Sequence, residues 1–253
     1  MLERDAAREA ARPSPVPLAD RVPDREGCLP WIFYDKPIKT GSTAVTYAIR
    51  EYVMARGQRH RRCSRDSCTP RAEAACNGTG DPEHLIGHVR VRDGLVECLK
   101  GKEFYAATSI RDPLERWRSA FKFNRMMKGH HNGIMYTETF DTFMKLYPDC
   151  QMYQYYDQMS SECDNAPVPW RERLERIKDR YDEVIDLYDD NEELEGVLFK
   201  KIKGYMEKEN VSKQSKEVIT DKFDRSRLEP EQALYDALKA KRKEKPDLTR
   251  FPC

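Results

Sequence analysis

Lys39-Thr40-Gly41-Ser42-Thr43 puts one positive charge, three hydroxyl side chains and one glycine into five consecutive residues. A turn of that composition at the start of a helix aims backbone N–H groups at an anion, and the glycine lets the chain approach it closely. Ser42 and Thr43 add hydroxyl donors, and either suits the N-cap. Lys39 precedes the glycine, so the order G-x-x-x-x-G-K-[ST] of a Walker A loop is absent. Without a ligand, the same residues are a plain helix cap beside a solvated lysine.

A second cluster is Arg111-Asp-Pro-Leu-Glu-Arg-Trp-Arg-Ser119. Arg111 and Ser119 stand two helical turns apart and can face one crevice. Arginine grips phosphate through a planar fork, and a serine adds one hydrogen bond. Arg116 and Arg118 read as solvated or paired with Glu115 and its neighbours. Trp117 and Phe121 read as core.

Both clusters need a strand before them and a helix after them. Trp31-Ile-Phe-Tyr34 is a short apolar run that fits a buried strand. Val45, Ala48, Ile49, Tyr52 and Val53 then repeat with helical spacing. Residues 56–82 read as a loop rich in Arg, Cys, Gly and Pro, and Leu85 to Val91 as a short strand or turn. Phe104 to Ile110 reads as a second buried strand, and a helix is predicted from about Leu114 to Met127, with Pro113 in its first turn. Further helices are predicted over 137–147, 170–180 and 229–243, and one from an Asn191 cap through Met206. Tyr181 to Leu187 reads as a third strand, or as a short helix. Alternating strands and helices predict an α/β fold with a central parallel sheet flanked by helices. The expected layout is a flexible lead-in or stem over 1–29, one domain over 30–245 and a tail over 246–253.

The chain has 253 residues, 39% of them hydrophobic and 35% charged. Its 13 Tyr, 9 Phe and 3 Trp are enough for a real core. This composition excludes collagen, low-complexity disorder and a pure coiled coil. With 45 Lys and Arg against 44 Asp and Glu, the net charge of +1 gives no sign of a generally basic nucleic-acid binder. The basic stretches, Arg56 to Arg71 and Lys122 to Lys128, are solvated faces or, if they border the cleft, an attraction for an acidic glycan.

There are 8 cysteines. Cys63, Cys68 and Cys76 lack the C-x-x-C spacing of a zinc finger. Disulfides within the Cys63–Cys76 loop and between Cys150 and Cys163 are the better expectation, since both segments are polar and turn-rich. With the sequons Asn77-Gly-Thr and Asn210-Val-Ser they tilt the chain toward a secretory compartment, yet Met1 to Pro30 holds no apolar signal core, and the chain is either a lumenal fragment lacking its anchor or cytosolic with reduced thiols.

Lys39–Thr43 after a strand, with Arg111-Asp-Pro and Ser119 further on, resembles the two cofactor signatures of sulfotransferases that use 3'-phosphoadenosine 5'-phosphosulfate (PAPS). Gly87-His88-Val89 between them resembles the carbohydrate enzymes, nearest the heparan and uronyl 2-O-sulfotransferase branch. The resemblance implies a P-loop-like sulfotransferase fold. It also implies that residues 39–43 hold the 5'-phosphosulfate and that Arg111 and Ser119 hold the 3'-phosphate. Val211-Ser212-Lys213-Gln214-Ser215-Lys216 resembles the loop that closes over the nucleotide, Leu234-Tyr235 the family's closing pair, and the Cys150–Cys163 region a disulfide-bearing insertion.

In that branch the histidine of Gly-His-Val is the catalytic base. Here that is His88, which would take the proton of a carbohydrate hydroxyl while Lys39 neutralises charge on the bridging oxygen. His84 is the rival base, and His88 without a substrate is a half-buried imidazole at a sheet edge. His60, His130 and His131 read as exposed loop residues. No metal is required. The alternatives are a non-catalytic glycan- or nucleotide-binding module on the same fold, and a nucleotide kinase. The kinase would need a magnesium-binding acid and a lysine at the loop's end.

Overall fold

The near-continuous apolar runs at Trp31–Asp35 (β1) and Phe104–Ile110 (β4) are what a strand needs when both of its faces are covered, and β4 is buried at all seven positions. The computed structural model describes residues 31–37, 40–58, 60–63, 65–79, 83–87, 94–102, 104–126, 139–146, 170–189, 191–206, 225–244 and 246. With β2 (His60–Cys63), β3 (His84–Gly87) and β5 (Glu183–Asp186) these strands form a five-stranded parallel sheet in the order β2-β3-β1-β4-β5. Asp35 pairs in register with Gly87 on one side and Thr108 on the other.

Alternate side chains of the central strands feed two cores. Ile32, Tyr34, Tyr105 and Ala107 pack against α1 (Ser42–Ala55) and α7 (Val197–Ile202). Phe33, Phe104 and Ala106 pack against α2 (Arg65–Cys76), α3 (Leu95–Gly101), α6 (Trp170–Ile177) and α8 (Glu229–Lys241). A third cluster joins Trp117 and Phe121 of α4 (Pro113–Met126) to Phe140 and Phe143 of α5 (Phe140–Leu146). Trp117 and Phe121 are therefore core, as their apolar character predicts. No helix among the described residues is long and apolar enough to cross a membrane.

The connection leaving β1 runs outward to β2, and the one leaving β4 runs the opposite way to β5. Right-handed crossovers put the two intervening helical layers on opposite faces of the sheet. The carboxyl ends of β1 and β4 thus form a topological switch point, the place where open α/β sheets hold ligands.

Two predicted segments fold differently from the sequence expectation. Residues 56–82 contain β2 and α2 rather than a loop alone. Those elements bury small residues (Ala72 fully, with Ala75 and Cys76 beside it), and Pro70 lies inside α2, so no apolar stripe marks the helix. Cys76 stands at disulfide distance from Cys98 of α3, the Cα atoms 5.7 Å apart, which corrects its expected partner within the Cys63–Cys76 loop. Cys150 and Cys163 lie outside the described residues.

The helix expected from Asn191 to Met206 is broken. Asn191 accepts from the Glu193 N–H but caps only a 3-10 turn, Glu192–Leu194, and α7 begins after Gly196. Glu183 causes the break. Its buried carboxylate accepts from the Leu198 and Phe199 N–H groups at 2.8 Å each and from the Tyr105 hydroxyl at 2.7 Å. A Cβ on Gly196 would sit 2.2 Å from the Glu183 carboxyl carbon, so that position must lack a side chain.

Candidate functional site

The turn after β1 is fixed by its own hydroxyls. The Pro37 carbonyl accepts from Ser42 Oγ at 2.6 Å and from Thr40 Oγ1 at 3.3 Å. Thr40 Oγ1 lies 2.7 Å from Ser109 Oγ of β4, and Tyr34 of β1 donates its phenol proton to the same Ser109 oxygen at 2.8 Å. Complete burial raises the Tyr34 phenol far above its ordinary pKa, against the lowering effect of Ser109, so Tyr34 stays a donor. Tyr34 thus donates to Ser109, whose oxygen shares a hydrogen bond with Thr40, and Thr40 also donates to the Pro37 carbonyl. This chain ties the first turn to the strand that delivers Arg111.

Gly41 is the N-cap of α1, at φ 77°, in the left-handed region that favours glycine. A Cβ there would meet Leu187 Cδ1 at 2.6 Å and the Tyr188 hydroxyl at 3.6 Å. No side chain caps α1, which corrects the expectation that Ser42 or Thr43 does so. Ser42 is buried with its hydroxyl turned into the loop, and Thr43 is exposed. The Ala44 N–H bonds back to the Gly41 carbonyl at 2.9 Å, so the N–H groups of Ser42 and Thr43 precede the first such bond. Among the described residues they are the open donors of this helix end.

Arg111 follows β4 and is buried, with 7% of its surface exposed. Its guanidinium carbon lies 4.3 Å from the centroid of the Tyr188 ring. Its nearest carboxylate, Glu115, stands 3.8 Å away, beyond hydrogen-bond range. Arg111 Nε has no hydrogen-bond partner among the described residues. A buried, unsatisfied guanidinium N–H is costly, and an anionic ligand would satisfy it.

Arg111 and Tyr188 line a cavity of about 240 Å³ that also takes in Asp112, Glu115, Asp186, Asp189, Tyr235 and Lys239. Burial raises the Asp186 carboxyl, although the Tyr188 N–H and Arg242 work against this. Burial raises the Tyr235 phenol too, then the charge of Asp186, to which Tyr235 donates at 3.2 Å. Asp189 behaves oppositely. Its burial cost is outweighed by the Asn191 N–H, Arg242 and Lys239, and its carboxyl falls below the usual range.

Of the residues singled out in the sequence, Thr40, Gly41, Ser42, Thr43 and Arg111 lie around the β1–β4 switch point. Ser119 sits half-buried in α4, one turn beyond Glu115, and does not line the cavity. Lys39, His88, Ser212 and Lys213 lie outside the described residues. His84 is a structural histidine. It is 1% exposed, its Nδ1 accepts from the Ile32 N–H at 3.0 Å, and its Nε2 faces Gln58 Oε1 at 3.1 Å. It begins β3, at the amino end of the sheet. Arg118 pairs with Glu115 at 2.6 Å, as predicted. Arg116 is a correction. It is fully buried, with a two-pronged ion pair to Glu231 of α8, because α8 closes over that face of α4.

Ser109, Asp186 and Tyr188 were not singled out in the sequence. Each falls at or just past the carboxyl end of a strand, and that position was the only sign available. Compared with family models, curated proteins and solved structures, the chain has no match.

Proposed function

We propose that this chain is a sulfotransferase of P-loop-like fold that moves a sulfuryl group from PAPS to a carbohydrate hydroxyl. The observation that carries the reading is the bond between Thr40 and Ser109, 2.7 Å long, which joins the two cofactor-like turns at the switch point of the sheet. The strand order β2-β3-β1-β4-β5 supports the P-loop-like assignment, because it puts a turn-to-helix anion cradle directly beside the strand that delivers an arginine.

In this reading the open N–H groups at the start of α1 and the side chain of Lys39 receive the 5'-phosphosulfate. Arg111, with its unsatisfied Nε, receives the 3'-phosphate, and Ser119 and the Ser212-Lys213 loop complete the grip. The acids of the cavity narrow the choice of ligand. It must offer hydrogen-bond donors as well as negative charge, which a phosphorylated adenosine does through its ribose hydroxyl and exocyclic amine. Lys39 stabilises charge on the departing bridging oxygen, and His88 takes the proton of the attacking hydroxyl. Transfer is in line at sulfur: a new S–O bond forms as the bond to the bisphosphate breaks. An acidic glycan is the proposed acceptor class, drawn by the basic segment at 56–71, and the Golgi lumen is the proposed location.

The test is sulfate transfer from radiolabelled PAPS to a panel of glycans, with Lys39→Ala and His88→Ala controls. Transfer that both variants lose supports the reading. Tight binding of 3',5'-bisphosphoadenosine with no transfer to any acceptor would instead establish a non-catalytic nucleotide-binding module.

A further inference from the structure

Arg111 is flanked by a ring and, at longer range, by an acid: Glu115 makes a long ion pair with it, outside hydrogen-bond distance. Its guanidinium lies over the Tyr188 ring at 4.3 Å, and Nε meets no partner among the described residues. A guanidinium lying over an aromatic ring is held by the ring's π face without using up its N–H donors, which stay available for hydrogen bonds. Tyr188 is itself held firmly. Its N–H donates to Asp186 Oδ1 at 3.0 Å, in a short turn directly after β5. Its hydroxyl lies 3.6 Å from where a Cβ on Gly41 would be. One side chain thus reaches both turns of the switch point.

We propose that Tyr188 is a positioning residue, which holds the Arg111 guanidinium edge-on to the 3'-phosphate of the nucleotide. The proposal rests on the sulfotransferase reading and adds to it a residue that neither sequence signature contains. The absence of a side chain at Gly41 belongs to the same device. It leaves room for Leu187 and Tyr188 against the first turn, so the ring can stand beneath Arg111 without pushing the anion cradle away.

The experiment measures affinity for 3',5'-bisphosphoadenosine and for adenosine 5'-monophosphate by calorimetry, in the wild type, Tyr188→Phe, Tyr188→Ala and Arg111→Ala. Tyr188→Ala is expected to lose roughly three- to thirtyfold in affinity for the bisphosphate, the range of a cation–π contact. It should keep its affinity for the monophosphate, which lacks the 3'-group. Tyr188→Phe keeps the ring and should bind both within about twofold of wild type, which separates orientation of Arg111 from any role of the hydroxyl. In an Arg111→Ala background, Tyr188→Ala should cost nothing further. Equal loss of both nucleotides in Tyr188→Ala, or failure of the Phe variant to rescue, would overturn the proposal while leaving the nucleotide reading intact. A wild-type protein that binds neither nucleotide would overturn both. If Tyr188→Ala does not fold, Tyr188→Leu takes its place: it fills the space without a π face and should show the same selective loss.

Discussion

Thr40 and Ser109 are separated by 69 residues of sequence, yet their hydroxyl oxygens lie 2.7 Å apart. Between them they accept the Tyr34 proton and pass the donor role on to the Pro37 carbonyl. Thr40→Val keeps the shape and removes the relay. Ser109 then loses its hydrogen bond to Thr40 and the Pro37 carbonyl one of its two donors. The expected cost is about 1 kcal/mol of stability, or about 2–4 °C in Tm for a domain of this size. Calorimetry of Thr40→Val, Ser109→Ala and the double variant checks it. The double variant should lose less than the sum of the singles, because both remove the same bond.

Arg111→Ala should weaken binding of 3',5'-bisphosphoadenosine more than it slows the chemical step at saturating PAPS. A charge-assisted contact to phosphate is worth about 1.5–3 kcal/mol, so the expected loss is roughly ten- to a hundredfold in Kd. Unchanged affinity would remove Arg111 from the nucleotide site.

The two histidines flanking β3 should separate by phenotype. Both ring nitrogens of His84 are engaged, so His84→Ala should lower Tm and leave the pH profile of the remaining turnover unchanged. His88→Ala should leave Tm and nucleotide affinity in place while turnover falls by roughly 10²–10⁴-fold. The reverse assignment would appear as a pH profile altered by the change at 84.

Glu183 predicts a pH dependence of stability. Burial raises its carboxyl, against the lowering effects of the Tyr105 hydroxyl and the Leu198 and Phe199 N–H groups. A carboxyl raised on folding binds its proton more tightly in the folded state. Its contribution is complete below the unfolded-chain pKa and is lost as pH climbs through the folded value. Glu183→Gln does not titrate. Its unfolding free energy, followed by urea titration from acid to neutral pH, should therefore fall less steeply than that of the wild type. Parallel curves would assign the dependence to another group.

The central strands were legible because their apolar runs have no polar alternation. Trp31 to Tyr34 and Phe104 to Ile110 can only be buried on both faces, and the cofactor-like turns follow from where those runs stop. The α4 helix was legible from Pro113 and its aromatic positions. What was not legible depends on partners distant in sequence. Arg116 looks like any surface arginine until α8 brings Glu231 against it. The Asn191–Met206 segment has a continuous helical stripe, but a carboxylate on β5 captures the N–H groups of Leu198 and Phe199 and restarts the helix there. Tyr188 carries no pattern at all. Its role comes from standing one turn beyond a strand that lies beside β4.

The strand order also leaves β2 and β5 as the outermost members of the described sheet, and each is only four residues long. A neighbouring molecule attempting to add a strand to either rim would find only a short ladder of backbone groups to pair with. The arrangement that opens a crevice at the middle of the sheet thus leaves borders unsuited to seeding fibrils.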